Sequence, residues 1–299
     1  MKKQELKASM LLLLAAAIWG FAFVAQRVGA KYVGSFTFNG VRFALGSLSL
    51  IPLLIYFKSK NEKADENHNM KSNAIPAGIM LGGVLFLAAS LQQIGLSYTT
   101  AGKAGFITGL YIVLVPIFGI ILKHRVHINT WVAVILAVIG LYLLSVTEGF
   151  YISKGDLFEV AGAVFWAIHI LLIDYFTKKV NALKLSFIQF ATCSILSITV
   201  AFFFETITMA GLTKAIIPIL YGGIFSVGIA YTIQVVGQKH AKPSHAAIIL
   251  SMESVFASIG GILILNESLG ARGYFGCALI LSGMLLCQLP NFTKMELGK

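Results

Sequence analysis

The chain has 299 residues, of which 58% are hydrophobic and only 12% charged, with a mean hydropathy of +0.85. Water-soluble domains carry charge on about a quarter of their residues, so this composition excludes them and places the chain in the polytopic membrane class. The net charge of +11 would suit nucleic acid in a soluble protein, but here the basic residues fall in short loops between apolar runs, which excludes that partner and makes them topology signals.

From the N-terminus, a basic start (Met1 to Lys7) followed by Leu11 to Ala17 has the look of a signal peptide. Its apolar run continues to about Val24 and nine comparable runs follow, so it reads as a retained first span. Measured against the roughly 20 helical residues that cross about 30 Å of hydrocarbon, the candidate spans are Ala8–Gln26, Phe36–Phe57, Ala74–Leu96, Ala104–Leu122, Thr130–Val146, Leu157–Phe176, Leu185–Phe204, Ile216–Gly237, Ser244–Leu265 and Tyr274–Leu289. Helices satisfy their own backbone groups in lipid, and the alternating pattern of barrel strands is absent. The hydrophilic stretch Lys58 to Asn73 reads as a mobile loop. Gly78-xxx-Gly82 and Gly105-xxx-Gly109 permit close helix approach, and Lys242-Pro243 looks like a helix start. Asp174, four residues before Lys178, reads as half of an interfacial ion pair. Cys193, Cys277 and Cys287 lie in apolar runs without metal-ligand spacing and read as packing thiols.

With the N-terminus inside, most of the 23 Lys and Arg residues fall on the cytoplasmic side; the opposite side holds Arg27, Lys31, Lys103, Lys154, Lys214 and Arg272. The positive-inside rule thus puts both termini in the cytoplasm.

Self-comparison divides the chain into residues 1–147 and 148–299. Ala15-Ala-Ala-Ile-Trp19-Gly-Phe aligns with Gly162-Ala-Val-Phe-Trp166-Ala-Ile at a shift of 147 residues, and Leu91-Gln92-Gln-Ile-Gly95 with Ile233-Gln234-Val-Val-Gly237 at a shift of 142. The second register pairs Tyr111 with Glu253. Five spans per half is odd, so the halves enter the membrane in opposite senses. The expected fold is an all-α polytopic membrane protein of ten transmembrane helices in two inverted five-helix repeats, a plan of secondary transporters.

Met252-Glu-Ser-Val-Phe-Ala257, then Leu265-Asn-Glu267-Ser-Leu and Gly276-Cys-Ala-Leu-Ile280 with Gly283, resembles the second EamA repeat of the drug/metabolite transporter superfamily. Ala17-Ile-Trp19-Gly20-Phe with Val41-Arg42-Phe43 resembles the first. Ser254 stands where the family usually has proline, and the first half reads Lys123-His-Arg125 at the point corresponding to Glu267. The resemblance implies a ten-helix inner-membrane carrier, often an exporter of amino acids or other small metabolites.

At 1.5 Å of rise per residue, Trp19, Trp166 and Glu253 come out roughly 15 Å deep and Tyr111 roughly 10 Å. Four residues from both halves share a level and, facing inward, make an aromatic-walled cavity with one acid, suited to an amino or other cationic group. An intramembrane carboxyl such as Glu253 is costly, so it binds substrate or a coupling proton, or is a protonated carboxyl bonded to a hydroxyl. His169 shares the helix face of Trp166 and is a second titratable candidate. Arg42, with Asn39 one turn before it, is placed to snorkel, to bond carbonyls or to receive an anionic group such as a carboxylate. Gln92 and Gln234 lie near span ends and suit gating or lining.

No metal-protease helix, cysteine pair or nucleophile elbow is present, which argues against a membrane-embedded enzyme. A channel would favour a ring of like residues, whereas the two halves place unlike residues. No ATP-binding phosphate loop or other cofactor motif is present, so the expected carrier is secondary-active or facilitative, driven by a gradient or by the cargo itself, with protons the candidate coupling ion. The alternative cargo within the superfamily is a nucleotide sugar or a lipid-linked group, for which Arg42 is the obvious intramembrane phosphate binder.

Overall fold

A computed structural model describes residues 3–61, 73–98, 101–124, 126–145, 153–265 and 270–289. Most of the hydrophilic stretch Lys58 to Asn73, together with Arg125, Asn266 and Glu267, lies outside the described residues. Within them every regular element is a helix. Nine are long and apolar enough to cross a membrane: α1 (Gln4–Gly29), α2 (Ser35–Phe57), α3 (Ala74–Gly95), α4 (Ala104–Ile121), α6 (Lys154–Thr177), α7 (Ala182–Phe204), α8 (Ile216–Gln238), α9 (Pro243–Ile264) and α10 (Ala271–Gln288). The fifth in sequence, α5 (Ile128–Leu144), is also apolar but shorter.

Helix starts follow the local chemistry of orphan N–H groups. The Asn181 side chain accepts from the backbone N–H of Leu183 and Lys184 at 3.0 and 3.2 Å. Ser153 and Asp156 form a reciprocal capping box at the head of α6, and Pro243 opens α9. The start of α2 has no cap of its own. Glu205, just past α7, accepts instead from the N–H groups of Phe36 and Thr37 at 2.8 and 2.7 Å, so the beginning of α2 and the end of α7 lie at one end of the bundle.

Four spans are not the uninterrupted helices their apolar runs suggest. α2 breaks at Leu50, where the Leu50 N–H donates to Ser47 O at 3.1 Å. α4 breaks at Leu110 and α9 at Ser251–Met252, and Leu110 and Ser251 share φ −62° and ψ −13°. Bonds tighten there to i→i+3: Leu110 N to Ile107 O at 3.1 Å, Met252 N to Ile249 O at 3.2 Å. The Ser251 hydroxyl donates to Ile248 O at 2.8 Å, satisfying a carbonyl at the break. The middle of α8, Tyr221–Tyr231, is a wide π-helical stretch.

The helices pack in reciprocal fashion. α5 pairs with α10 and α2 with α7; α3 lies against α6 and α7, as α8 lies against α1 and α2; α1 packs on α9 as α6 packs on α4. Individual bonds repeat the exchange. Ser47 Oγ donates to Phe187 O at 3.4 Å, and Ser194 Oγ to Gly40 O at 2.8 Å, both partners of the second bond standing 147 positions from those of the first. Glycines set the closest crossings: a Cβ on Gly140 would lie 2.6 Å from Gly276 O, and one on Gly276 would lie 2.6 Å from Gly140 O. Gly78 and Gly82 let α3 approach α7 as expected, whereas at Gly105 the nearest atom to an added Cβ is Ser254 Oγ at 3.8 Å, so no close crossing depends on it. Large apolar side chains such as Phe202, Phe203, Phe204 and Ile195 point outward, as a lipid-facing belt requires.

Candidate functional site

The centre of the bundle is built around Tyr231, at the end of the π-helical stretch of α8 and 5% exposed. Trp19 from α1 packs on it with ring centroids 4.5 Å apart, and Trp166 from α6 stacks on it at 6.0 Å with 15° between planes. The Trp19 indole N–H donates to Ser226 O at 3.2 Å, inside the π-helical stretch, which fixes the ring against the wall. The Trp166 Nε1 is buried and has no partner.

Opposite this aromatic wall the two helix breaks meet. Tyr111, the first residue after the break in α4, donates its hydroxyl to Glu253 Oε1 at 3.1 Å; Glu253 is the first residue after the break in α9. Arg42, from α2, is 1% exposed, so it does not snorkel. Its guanidinium carbon lies 5.4 Å from the Phe38 ring centroid and 5.1 Å from that of Phe43, its Nε is unpartnered, and no described carboxylate pairs with it. Trp19, Trp166, Tyr111, Glu253 and Arg42 thus line a single cavity of about 40 Å³, together with Phe23, Ile170 and Leu250. That space holds a few water molecules.

Gln92 and Gln234 reach the same wall. Gln92 Nε2 donates to Thr108 Oγ1 at 3.4 Å, and Gln234 Oε1 is buried without a partner. Asn39 and His169 do not reach it. Asn39 turns toward α3 and donates to Ala89 O at 3.0 Å. His169 lies behind Trp166 and Tyr231, edge-on to both, with Nε2 3.0 Å from Gln189 Oε1 of α7. Both were candidates for substrate contact because they share a helix with a wall residue, with bonding to a carbonyl (Asn39) or a hydrogen-bonded core position (His169) as the alternative; here their side chains turn to neighbouring helices. Asp174 and Lys178 form the expected ion pair at 2.8 Å.

Sequence reasoning missed Tyr231, Thr108, Gln26 and Ser226 on the wall. Tyr231 alone carried a signal, standing one turn before Gln234 on the same face. It also missed Glu159, fully buried in α6, whose Oε2 accepts from Thr108 Oγ1 at 2.8 Å. A second, larger hollow of about 560 Å³ opens where α6 ends and α5 and α9 begin, ringed by His124, His127, His240 and His245 with Lys178, Lys239 and Lys242. Among the described residues no group of His, Cys, Asp or Glu side chains is placed to hold a metal ion.

Apolar helices of spanning length, packed around a cavity that holds Glu253, Arg42 and aromatic faces, define a multi-pass membrane protein. The EamA-like transporter family model matches residues 6–146 and again 153–288. The chain belongs to the EamA-like transporter family and is a membrane transporter. It is similar to an uncharacterized transporter of Archaeoglobus fulgidus, at 33% identity over 96% of this chain and 87% of the relative. It is also similar to the uncharacterized transporter YoaV of Bacillus subtilis, at 22% identity over 90% and 92%. A solved crystal structure, described only as that of a protein, shares the fold with a TM-score of 0.78 at 17% identity, covering 98% of this chain and 99% of its own.

Proposed function

We propose that this transporter is a secondary carrier that exports amino acids or related small metabolites across the cell membrane by alternating access, with both termini in the cytoplasm. The observation that carries the reading is the pair Arg42 and Glu253: opposite charges, both buried on the wall of one cavity, neither neutralising the other. A zwitterion matches that arrangement, its carboxylate on the Arg42 fork and its ammonium between Glu253 and the faces of Trp19, Trp166 and Tyr231.

Residues 1–147 and 148–299 act as two oppositely inserted repeats in this reading. The reciprocal helix pairing, the exchanged Ser47 and Ser194 bonds and the matched breaks in α4 and α9 support it, since discontinuous helices at the interface of inverted repeats commonly form carrier sites. Gln92 and Gln234 then line the pathway, one from each half. A cavity of about 40 Å³ has room for only a few waters, so in this reading cargo enters as the halves part. Protons are the coupling ion.

The test uses purified protein in liposomes, screened with labelled amino acids in the absence of ATP, with and without a pH gradient. Uptake or counterflow of at least one amino acid, enhanced by the gradient, is expected. Movement of none sinks the reading.

A further inference from the structure

Glu159 belongs to none of the groups assigned so far. It is fully buried, its Oε2 accepts from Thr108 Oγ1 at 2.8 Å, and its Oε1 has no partner. No cation among the described residues pairs with it. We propose that Glu159 is a second proton-binding site, separate from Glu253, which exchanges with the central cavity through the Thr108 hydroxyl.

Packing does not call for an acid at this position. A Cβ on Gly95, at the end of α3, would lie 2.6 Å from Glu159 Oε1. The residue 142 positions on is Gly237, where a Cβ would lie 3.2 Å from Leu12 Cγ, and Leu12 stands 147 positions before Glu159. The same niche between a helix-end glycine and a neighbouring helix is therefore filled twice, once by a leucine and once by a carboxyl, and both side chains are fully buried. The counterpart of Thr108 is Leu250, also on the cavity wall and 1% exposed. One end of the molecule seals the niche with two leucines; the other places a hydroxyl and an acid there. An unpaired carboxylate sealed among helices costs several kcal/mol, so an acid kept where leucine fits points to a use for its charge.

The route is short. Thr108 and Gln92 both line the cavity. The Thr108 hydroxyl accepts from Gln92 Nε2 at 3.4 Å and donates to Glu159 Oε2. A cavity hydronium gives its proton to Thr108 Oγ1 as the hydroxyl proton passes to Glu159 Oε2, leaving water, an unchanged threonine and a neutral carboxyl. Facing groups are few. Asp156, one turn earlier on α6, accepts from Ser153 N at 2.7 Å. Tyr98, past the end of α3, packs on Gly155 and is 65% exposed. From α3 itself come the uncharged Gln92 and Gln93, and from the start of α4 comes Lys103, whose side chain lies outside the described residues. In the proposed topology this niche is at the outer end, where a proton that drives export is loaded. The inference rests on the carrier reading for that purpose alone.

The test needs no cargo, so its failure and that of the carrier reading are distinguishable. Full-length protein in lipid vesicles is stepped from alkaline to acid pH, and the carboxylic C=O band is followed by infrared difference spectroscopy in wild type, Glu159→Gln and Glu253→Gln. The expected result is one band component lost in Glu159→Gln and retained in Glu253→Gln, with its hydrogen–deuterium exchange slowed in Thr108→Val. A Glu159→Gln spectrum that superimposes on wild type across the titration overturns the proposal, as it would if Lys103 kept the acid ionised. Glu159→Leu serves as the folding control: it is expected to fold as the Leu12 niche does, and failure of both Glu159 variants to fold would make the acid a packing element and also overturn the proposal.

Discussion

The Tyr111 hydroxyl donates to Glu253 Oε1 at 3.1 Å across 142 positions of sequence, the same interval that separates Gln92 from Gln234. Two residues in equivalent places of the two halves therefore touch, each at the point where its membrane helix breaks. In the proposed reading of two inverted repeats, a contact between equivalent positions lies on the axis that relates them, where a rocking motion would change distances least.

That bond is open to measurement. Tyr111→Phe leaves a buried carboxyl without its protein donor and is expected to destabilise the protein by about 1–3 kcal/mol. Glu253→Gln, which keeps an acceptor oxygen, is expected to cost less. Thermal unfolding of both variants and the double mutant in detergent should give a coupling energy of roughly 0.5–3 kcal/mol. Additive effects would mean the bond is not made in solution.

Arg42 is the clearest probe of cargo chemistry. Once a transported amino acid is known, Arg42→Met should weaken its binding by at least about tenfold, a loss of ~1.4 kcal/mol, and Arg42→Lys should recover only part, because an ammonium does not reproduce the planar fork. Binding of the corresponding amine without a carboxylate should be unchanged. Calorimetry on the two ligands checks both statements, and the Met variant is expected to fold at least as stably as wild type, since replacing a buried ion with a packed side chain of similar size is often neutral or favourable.

The chain has three tryptophans, and two of them wall the cavity. Cargo binding should change the emission of Trp19 and Trp166 and leave Trp131, on α5, silent. Trp131→Phe is expected to retain the fluorescence response, and each single cavity variant to lose part of it. A response that vanishes with Trp131 would place the site elsewhere.

Glycine substitutions separate the fixed crossings from the open ones. Gly140→Ala puts a methyl 2.6 Å from the Gly276 carbonyl oxygen, a backbone atom that can move only if α5 and α10 part. It should lower the melting temperature by several degrees or prevent folding, at a cost of about 1–3 kcal/mol. Gly83→Ala meets nothing within 4 Å and should be neutral or stabilising by up to about 1 kcal/mol. Melting curves of the two variants side by side provide the check.

The spans and the mid-span indoles were legible in the sequence because each has a local signature, a long apolar run or a tryptophan within it; the register carried forward from Gln92 matched Tyr111 with Glu253 as equivalent positions, but not that they bond. The breaks in α4 and α9 were not legible. Nothing at Leu110 or Met252 announces them, and Pro116, the proline of α4, sits well past the break. Tyr231 was passed over because an aromatic residue within an apolar run normally reads as packing; only the approach of two tryptophans from other helices makes it the centre of the site. Asn39 and His169 were assigned by proximity along their helices, and their rotation depends on α3 and α7, which lie far away in sequence. Glu159, near a span end, was missed because its burial comes from Gly95 of α3 and Thr108 of α4, which lie far away in sequence.

The most direct test is counterflow of a labelled amino acid in ATP-free proteoliposomes, comparing wild type with Arg42→Met and Glu253→Gln at equal protein density. Exchange by wild type and its loss in both variants is the expected result. Exchange by both variants at the wild-type rate would contradict a site built on that pair of charges.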